Sequence, residues 1–289
     1  MGEMGGPFIR IRNLKYTYNL SAGDEGKSSW ALHNVSLDIE KGEYVAVIGA
    51  NGSGKSTLLR HLNGLLVPAD GDVWVNAWNT RDEQRVRDIR STVGMVFQSP
   101  DAQIVATVVE EDVAFGPENL GVPRDELQKR VKQALKQVGL EELRERPTQA
   151  LSAGQKQLLA IASALSMHPD CLVLDEATAS LDPQSRTRVL QTMKSLNESG
   201  ITVITATHRM EEAALAKRII VLQKGEIQLQ GNPRQVFEQP DILRKLKLDI
   251  PEPMKIARFI ASSVHDFKTD LLTVDELVDA VLAYQGMGV

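Results

Sequence analysis

Cysteine is nearly missing from this sequence: of 289 residues only Cys171 is one, inside the apolar run Cys171-Leu172-Val173-Leu174. A disulfide within the chain is thereby excluded, and the lone thiol reads as a small core residue suited to a reducing compartment. Positive charge is not in excess either, with 33 lysines and arginines against 38 aspartates and glutamates and a net charge of −5. That balance argues against a protein that holds nucleic acid through its overall charge. No stretch approaches the roughly 18 apolar residues that a spanning helix needs. The start, Met-Gly-Glu-Met-Gly-Gly-Pro, lacks the charged-then-apolar pattern of a signal peptide. The expectation is a cytoplasmic protein that meets a membrane only by docking on a membrane protein. A hydrophobic content of 42% and a charged content of 25% are ordinary for a globular chain, and the length allows one large domain or a domain with an appendage.

What the sequence does contain is a phosphate-binding pattern, Gly49-Ala50-Asn51-Gly52-Ser53-Gly54-Lys55-Ser56-Thr57. It follows the apolar run Tyr44-Val45-Ala46-Val47-Ile48, which reads as a buried strand, and it runs into the helix-like Ser56-Thr57-Leu58-Leu59-Arg60-His61-Leu62. Glycines at 49, 52 and 54 let the backbone turn several N–H groups toward one anion, Lys55 would reach the outer phosphates, and the Ser56 hydroxyl would be a magnesium ligand. The pattern arises by chance in on the order of one chain in a hundred at this length, so a plain glycine-rich turn is the weaker reading. Alone, it says only that a nucleoside triphosphate binds.

Around this loop the chain reads as an α/β protein. Residues 8–18 alternate as a strand with Tyr16 and Tyr18 on one face, residues 19–29 form a loop expected to be mobile, and strand character returns over 31–39. The N-terminal part therefore looks antiparallel. A strand over 91–97 delivers Gln98 at its end. Residues 107–119 are acidic and weakly helical, and 124–138 carry a clear helical period at Leu127, Val131, Leu135 and Val138, so a helical subdomain is expected over about 99–167.

Leu151-Ser152-Ala153-Gly154-Gln155 then opens a helix. A capping box accounts for Ser152 and Gln155 but leaves Gly154 unexplained. The next strand ends at Asp175-Glu176, and a carboxylate pair leaving a buried strand is costly unless it has work. In a phosphate-loop protein Asp175 would hold magnesium through its water shell, and Glu176 would orient and deprotonate the water that attacks the γ-phosphate. Asp182-Pro183 starts another helix, where a cap and a functional role are both open. The strand over 201–206 ends at Thr207-His208, beside the other candidates at the end of a doubly wound sheet where ligands bind. Residues 219–222 and 226–230 form a hairpin through Lys224-Gly225. Beyond about 240 a helical appendage is expected, its last helix capped by Thr273 and Glu276.

In this order, residues 49–56, Gln98, 151–155, Asp175-Glu176, Asp182 and His208 resemble the nucleotide-binding subunit of an ABC transporter, over about residues 8–237. The Ser152 motif discriminates, because nucleotide kinases and GTPases share the phosphate loop without it. The resemblance implies a P-loop NTPase core (1–239) with an antiparallel β subdomain and a helical subdomain, followed by a small C-terminal helical domain (240–289). It implies ATP hydrolysis with ATP and Mg2+ as cofactors. Tyr18 would stack on adenine, with Tyr16 left to packing. Gln98 would touch magnesium beside Ser56 and Asp175 and sense the partner. His208 would contact the γ-phosphate and, with Glu176 and Gln98, complete the catalytic set. Ser152, Gly154, Gln155 and Asp182 would act in trans, on ATP held by a second subunit.

A closer likeness lies in Val96-Phe97-Gln98-Ser99-Pro100-Asp101-Ala102-Gln103 and Glu111-Asp112-Val113-Ala114-Phe115-Gly116-Pro117-Glu118-Asn119-Leu120-Gly121-Val122-Pro123, which are similar to the energy-coupling factor branch. There an ATPase pair, identical or paralogous, sits on the cytoplasmic face of the membrane. It works with a transmembrane coupling subunit and a separate substrate-binding membrane subunit to take up vitamins, cobalt or nickel. No nucleic acid is implied. The acidic residues Asp101, Glu110, Glu111 and Asp112 are the expected dock for basic coupling helices. Two departures stand out: Ala153 where the family usually has glycine, and Leu158 where it commonly has arginine. A soluble ABC ATPase of DNA repair or translation is the main rival, but the phosphate-loop pattern occurs once and no long coiled-coil insertion appears. A module that binds ATP without hydrolysing it is opposed by the intact Glu176 and His208.

Overall fold

Residues 6–18 and 30–286 are described by the computed structural model. The loop expected over 19–29 lies outside the described residues. Two sheets organise the chain. The first is antiparallel, built from β1 (Ile9–Tyr16), β2 (Leu32–Ile39), β4 (Asp70–Val75) and β5 (Trp78–Asn79) in the order β2-β1-β4-β5, with β3 (Tyr44–Ile48) and α1 (Lys55–Leu62) intervening in sequence. The second contains β3, β6 (Val93–Val96), β7 (Cys171–Asp175), β8 (Thr202–Thr207), β9 (Arg218–Gln223) and β10 (Glu226–Gly231), in the order β10-β9-β3-β8-β7-β6. All its pairs are parallel except the β9–β10 hairpin.

The strand period of two decides how the core divides. On β3, Val45 and Val47 face the cluster that includes Ile9, Leu14, Val35, Val73 and Leu58, between the two sheets. Tyr44, Ala46 and Ile48 face a second cluster formed with the helices. A strand covered on both faces has no polar side to present, which is why this stretch is a continuous apolar run.

α2 (Val86–Thr92) precedes β6, and here the structure corrects the expected strand over 91–97: Ser91 and Thr92 finish the helix, and the strand starts at Val93. Both hydroxyls donate to the Asp88 carbonyl at 2.8 Å, which holds these strand-prone residues in the helical turn. The helical segment comprises α3 (Val109–Asn119), α4 (Arg124–Val138) and α5 (Ala153–Leu165). α6 (Pro183–Glu198) and the short α7 (Met210–Ala213) flank β8.

After β10 come α8 (Pro233–Phe237), α9 (Pro240–Lys245), α10 (Glu252–Ala261) and α11 (Val274–Gly286). Leu243, Leu246, Leu248, Ile250 and Met254 join the main core, while Ala257, Phe267 and Leu271 form a small core of their own. Arg234 fastens the two parts, donating to Asp270 and, at 2.6 Å, to Glu276. The Thr273 hydroxyl caps α11, accepting from the Glu276 N–H at 3.2 Å. No helix among the described residues is long and apolar enough to cross a membrane.

Candidate functional site

The parallel register brings the ends of β3, β7 and β8 to one edge, with Ile48 beside Thr207 and Asp175 beside Ala206. From the end of β3 the chain turns through residues 49–54 into α1. Gly54 has φ +107, and a Cβ there would stand 2.6 Å from the Ala31 carbonyl, so glycine is required both by conformation and by space. At Gly49 a Cβ would meet the Leu222 carbonyl at 2.3 Å. The loop is braced from outside by the Gly225 N–H, which donates to the Ser53 carbonyl at 2.9 Å.

Within the loop Lys55 is buried, and its ammonium donates to the carbonyls of Gly49 (2.9 Å) and Ala50 (3.4 Å). The Ser56 hydroxyl donates to Asp175 at 2.9 Å. Burial pushes the Asp175 carboxyl above its ordinary range, opposed by that hydrogen bond. Glu176 adopts a left-handed backbone (φ +49), a conformation that costs energy for a residue with a Cβ. One Glu176 carboxylate oxygen thereby lies 3.6 Å from the Lys55 ammonium and the other 3.6 Å from His208 Nδ1. A recess of about 410 Å³ gathers Tyr18, Asn51 to Thr57, Gln98 and Glu176. Ser56 and Asp175 offer adjacent hard oxygen donors, and a carboxylate disfavoured by burial gains from a nearby cation; this donor set fits magnesium.

Tyr18 follows β1, and its hydroxyl is 3.1 Å from the Thr57 hydroxyl. The Tyr16 ring meets Tyr18 edge-on at 5.0 Å and His61 at 4.8 Å. His61 is fully buried on α1, and its Nδ1–H donates to the Thr57 carbonyl at 2.7 Å. Burial is the leading cause that lowers its pKa from 6.5 to about 4. The unfolded chain then takes up a proton that the folded one refuses, so this stabilisation is complete above pH 6.5 and is lost as pH falls toward 4. His61→Gln should therefore flatten the pH dependence of the urea midpoint between pH 7 and 5, removing on the order of 2 kcal/mol of acid sensitivity. An unchanged slope would remove His61 as its source.

A buried network missed from the sequence supports the edge that carries Glu176 and His208. Glu212 accepts from the hydroxyls of Thr178 and Thr207, each at 2.8 Å, and so ties the loop after Glu176 to the segment carrying His208. Arg186 and Arg209 approach the same carboxylate at 3.8 and 3.9 Å. Thr178 and Glu212 are 34 positions apart, with no spacing signal to connect them. Gln103 was also missed: its side chain accepts from the Phe97 N–H and donates to the Met95 carbonyl, both at 3.2 Å, covering the free edge of β6.

The capping box at α5 is formed. Ser152 Oγ accepts from the Gln155 N–H at 3.3 Å, and Gln155 Oε1 accepts from the Ser152 N–H at 2.9 Å. Gly154 now has a packing reason, because a Cβ there would stand 2.3 Å from Ser185 Oγ and 2.5 Å from Ser185 Cβ, where the first turns of α5 and α6 meet. Asp182 caps α6, accepting from the Ser185 N–H at 3.0 Å. Ala153 is exposed, and Leu158 is buried in the main core. Ser152, Gly154 and Gln155 line a separate groove of about 660 Å³ with Ser185 and Arg188, and neither they nor Asp182 line the phosphate recess.

The expected acidic dock is corrected in one position, Asp112. Asp112 is buried, accepting from the N–H groups of Val105 (2.7 Å) and Ala106 (3.1 Å) and from the Ser163 hydroxyl (2.8 Å), so it organises the helical segment from within. Asp101 is paired with Lys156 at 2.6 Å. Glu110 and Glu111 do line an open groove, of about 620 Å³, with Glu118, Leu127 and Val131.

Residues 32–179 match the family model described as ABC transporter. The chain is 48% identical over 274 residues to the energy-coupling factor transporter ATP-binding protein EcfA1 of Clostridium novyi (strain NT), covering 94% of this chain and 97% of that protein. Among solved structures it is similar to cbiO1 from Clostridium perfringens, described as part of the ABC transporter complex cbiONQ, with a TM-score of 0.73, 36% identity, and coverage of 84% of this chain and 95% of that one. It is likewise similar to the dimeric, post-hydrolysis ATP-binding cassette MJ0796 bound to ADP and Pi, with a TM-score of 0.68, 31% identity, and coverage of 78% and 98%.

Proposed function

The chain belongs to the ABC transporter family, among the energy-coupling factor ATP-binding proteins, and on that premise we propose that it is one half of an ATPase pair that drives uptake through membrane subunits. The observation that carries this reading is the separation of the phosphate recess from the Ser152 groove, which have no lining residue in common. One chain then supplies two half-sites, and a second copy or a paralogue completes each. ATP that touches both halves favours the closed pair, and hydrolysis removes the bridging charge and reopens it.

In this mechanism the backbone N–H groups of the loop and Lys55 hold the phosphates. Lys55 must leave the carbonyls of Gly49 and Ala50 to do so, exchanging neutral acceptors for an anion. Ser56, Gln98 and Asp175 would hold magnesium, which supplies charge neutralisation across the outer phosphates. Glu176 takes the proton of the attacking water, and His208, beside it, stabilises charge on the γ-phosphate. From the partner, the N-terminus of α5 with Ser152 and Gly154 presents N–H groups to the γ-phosphate, with Gln155 and Asp182 bordering it.

Residues 1–239 act as the nucleotide-binding domain and 240–289 as its extension. The site of action is the cytoplasmic face of the membrane, and a different polypeptide selects the vitamin or the cobalt or nickel ion. Glu110 and Glu111 line the groove offered to basic helices of the transmembrane coupling subunit. Purification of the tagged chain from its native membranes should bring down a second ATPase subunit and membrane proteins, with Mg-ATPase activity. Reversing both charges (Glu110→Lys with Glu111→Lys) should release the membrane proteins and leave the ATPase pair. A complex that assembles normally would remove the groove as the dock, and a purified complex without ATPase activity would sink the functional reading.

A further inference from the structure

Next to the phosphate recess lies a second one, of about 590 Å³, and the two share Tyr18, Ala31 and Gly52. Its walls carry two aromatic rings that are unusually open for their size, Tyr18 at 57% and Trp30 at 39% exposure. A solitary exposed ring on a protein surface needs no explanation. Two rings on one recess that opens onto a phosphate-binding loop form a surface suited to a flat, apolar-faced group attached to a phosphate chain.

The scaffold holds both rings in place. β1 and β2 pair with Tyr16 opposite Leu32, and the Ala31 N–H donates to the Tyr16 carbonyl at 2.8 Å. Tyr18 and Trp30 therefore leave from adjoining ends of paired strands, each two residues beyond that pair. The His33 N–H donates to the Gly225 carbonyl (2.8 Å), and the Gly225 N–H donates to the Ser53 carbonyl of the phosphate loop (2.9 Å). The strand that follows Trp30 is thus tied to the loop through two backbone hydrogen bonds, by way of Gly225. Its indole lies against the His33 ring at a centroid distance of 6.3 Å and a tilt of 32°, and His33 is held by Glu226 at 2.7 Å.

We propose that Trp30 is a specificity-determining residue of the nucleotide site, supplying with Tyr18 a second aromatic surface for the base, so that a purine triphosphate is preferred over a pyrimidine one. Stacking of a base on an aromatic side chain is sequence-tolerant but grows with the area of the π-face, and a purine offers more of it. This rests on the reading that ATP occupies the phosphate recess.

The test uses the full chain and three probes: Mg-ATP, Mg-CTP and inorganic tripolyphosphate. Trp30→Ala should weaken ATP binding by about 5- to 150-fold, the range found when one stacking partner is removed. It should weaken CTP less and leave tripolyphosphate unchanged, which a general loss of fold would not do. Trp30→Phe keeps a ring and should restore ATP affinity, while the ATP-dependent change in tryptophan emission expected of the wild type should be lost, Trp74 and Trp78 leaving a constant background. Wild-type binding of ATP with unchanged affinity in Trp30→Ala would overturn the proposal and leave the ATPase reading standing, and so would an equal loss for tripolyphosphate. A wild-type chain that binds neither ATP nor tripolyphosphate would overturn both.

Discussion

Glu176→Gln should lower steady-state ATP hydrolysis by about 10²- to 10⁴-fold, the usual contribution of a positioned general base. It should also leave an ATP-bound dimer that survives gel filtration in the presence of Mg-ATP. The substitution keeps the size of the side chain and removes its capacity to take a proton. The left-handed backbone at Glu176 and the approach of its carboxylate to Lys55 and His208 set it on the wall of the phosphate recess, where the proposed mechanism has water meet the γ-phosphate. Because the amide also removes a negative charge beside the phosphates, ATP affinity should rise or stay the same. Hydrolysis at the normal rate would end the assignment of Glu176 as the base.

Gly154→Ala is the second large effect expected, and it separates two explanations of one glycine. The added methyl would collide with Ser185 on α6, and overpacking of this kind destabilises by about 1–3 kcal/mol. Adding Ser185→Gly removes the atoms at 2.3 and 2.5 Å and leaves the Cα at 3.5 Å, so the double variant should recover most of the lost thermal stability. Ser185→Ala, which keeps the Cβ, should rescue less. If neither relieves the loss, contact with Ser185 is not what demands glycine. If stability returns but ATPase activity does not, the glycine also serves the approach of phosphate from the partner subunit.

Local chemistry was legible wherever a residue's reason lies within a few positions of it. The capping box of Ser152 and Gln155, the caps at Asp182 and Thr273 and the helix over 124–138 all follow from neighbours on one turn. The phosphate loop belongs with them, because a strand, glycines at fixed offsets and a helix start are contiguous in sequence. Ser91 and Thr92 were misread as strand because β propensity measures fit to a pleated surface, and here their hydroxyls close a helical turn instead. Asp112 was misread as surface charge because an acidic run shows nothing of the N–H groups that fold back onto one of its members.

The sequence by itself determined that a triphosphate is bound, that Asp175 and Glu176 leave a buried strand beside it, and that Ser152 and Gly154 open a second helix. These are properties of short segments, set by backbone conformation and hydrogen bonding along the chain. Only the tertiary structure decided that Glu212 ties the Glu176 loop to His208, that Gly154 is demanded by Ser185, and that Trp30 shares a recess with Tyr18. Each brings together segments whose separation in sequence carries no period, so the packing of sheets and helices has to juxtapose them before the chemistry exists.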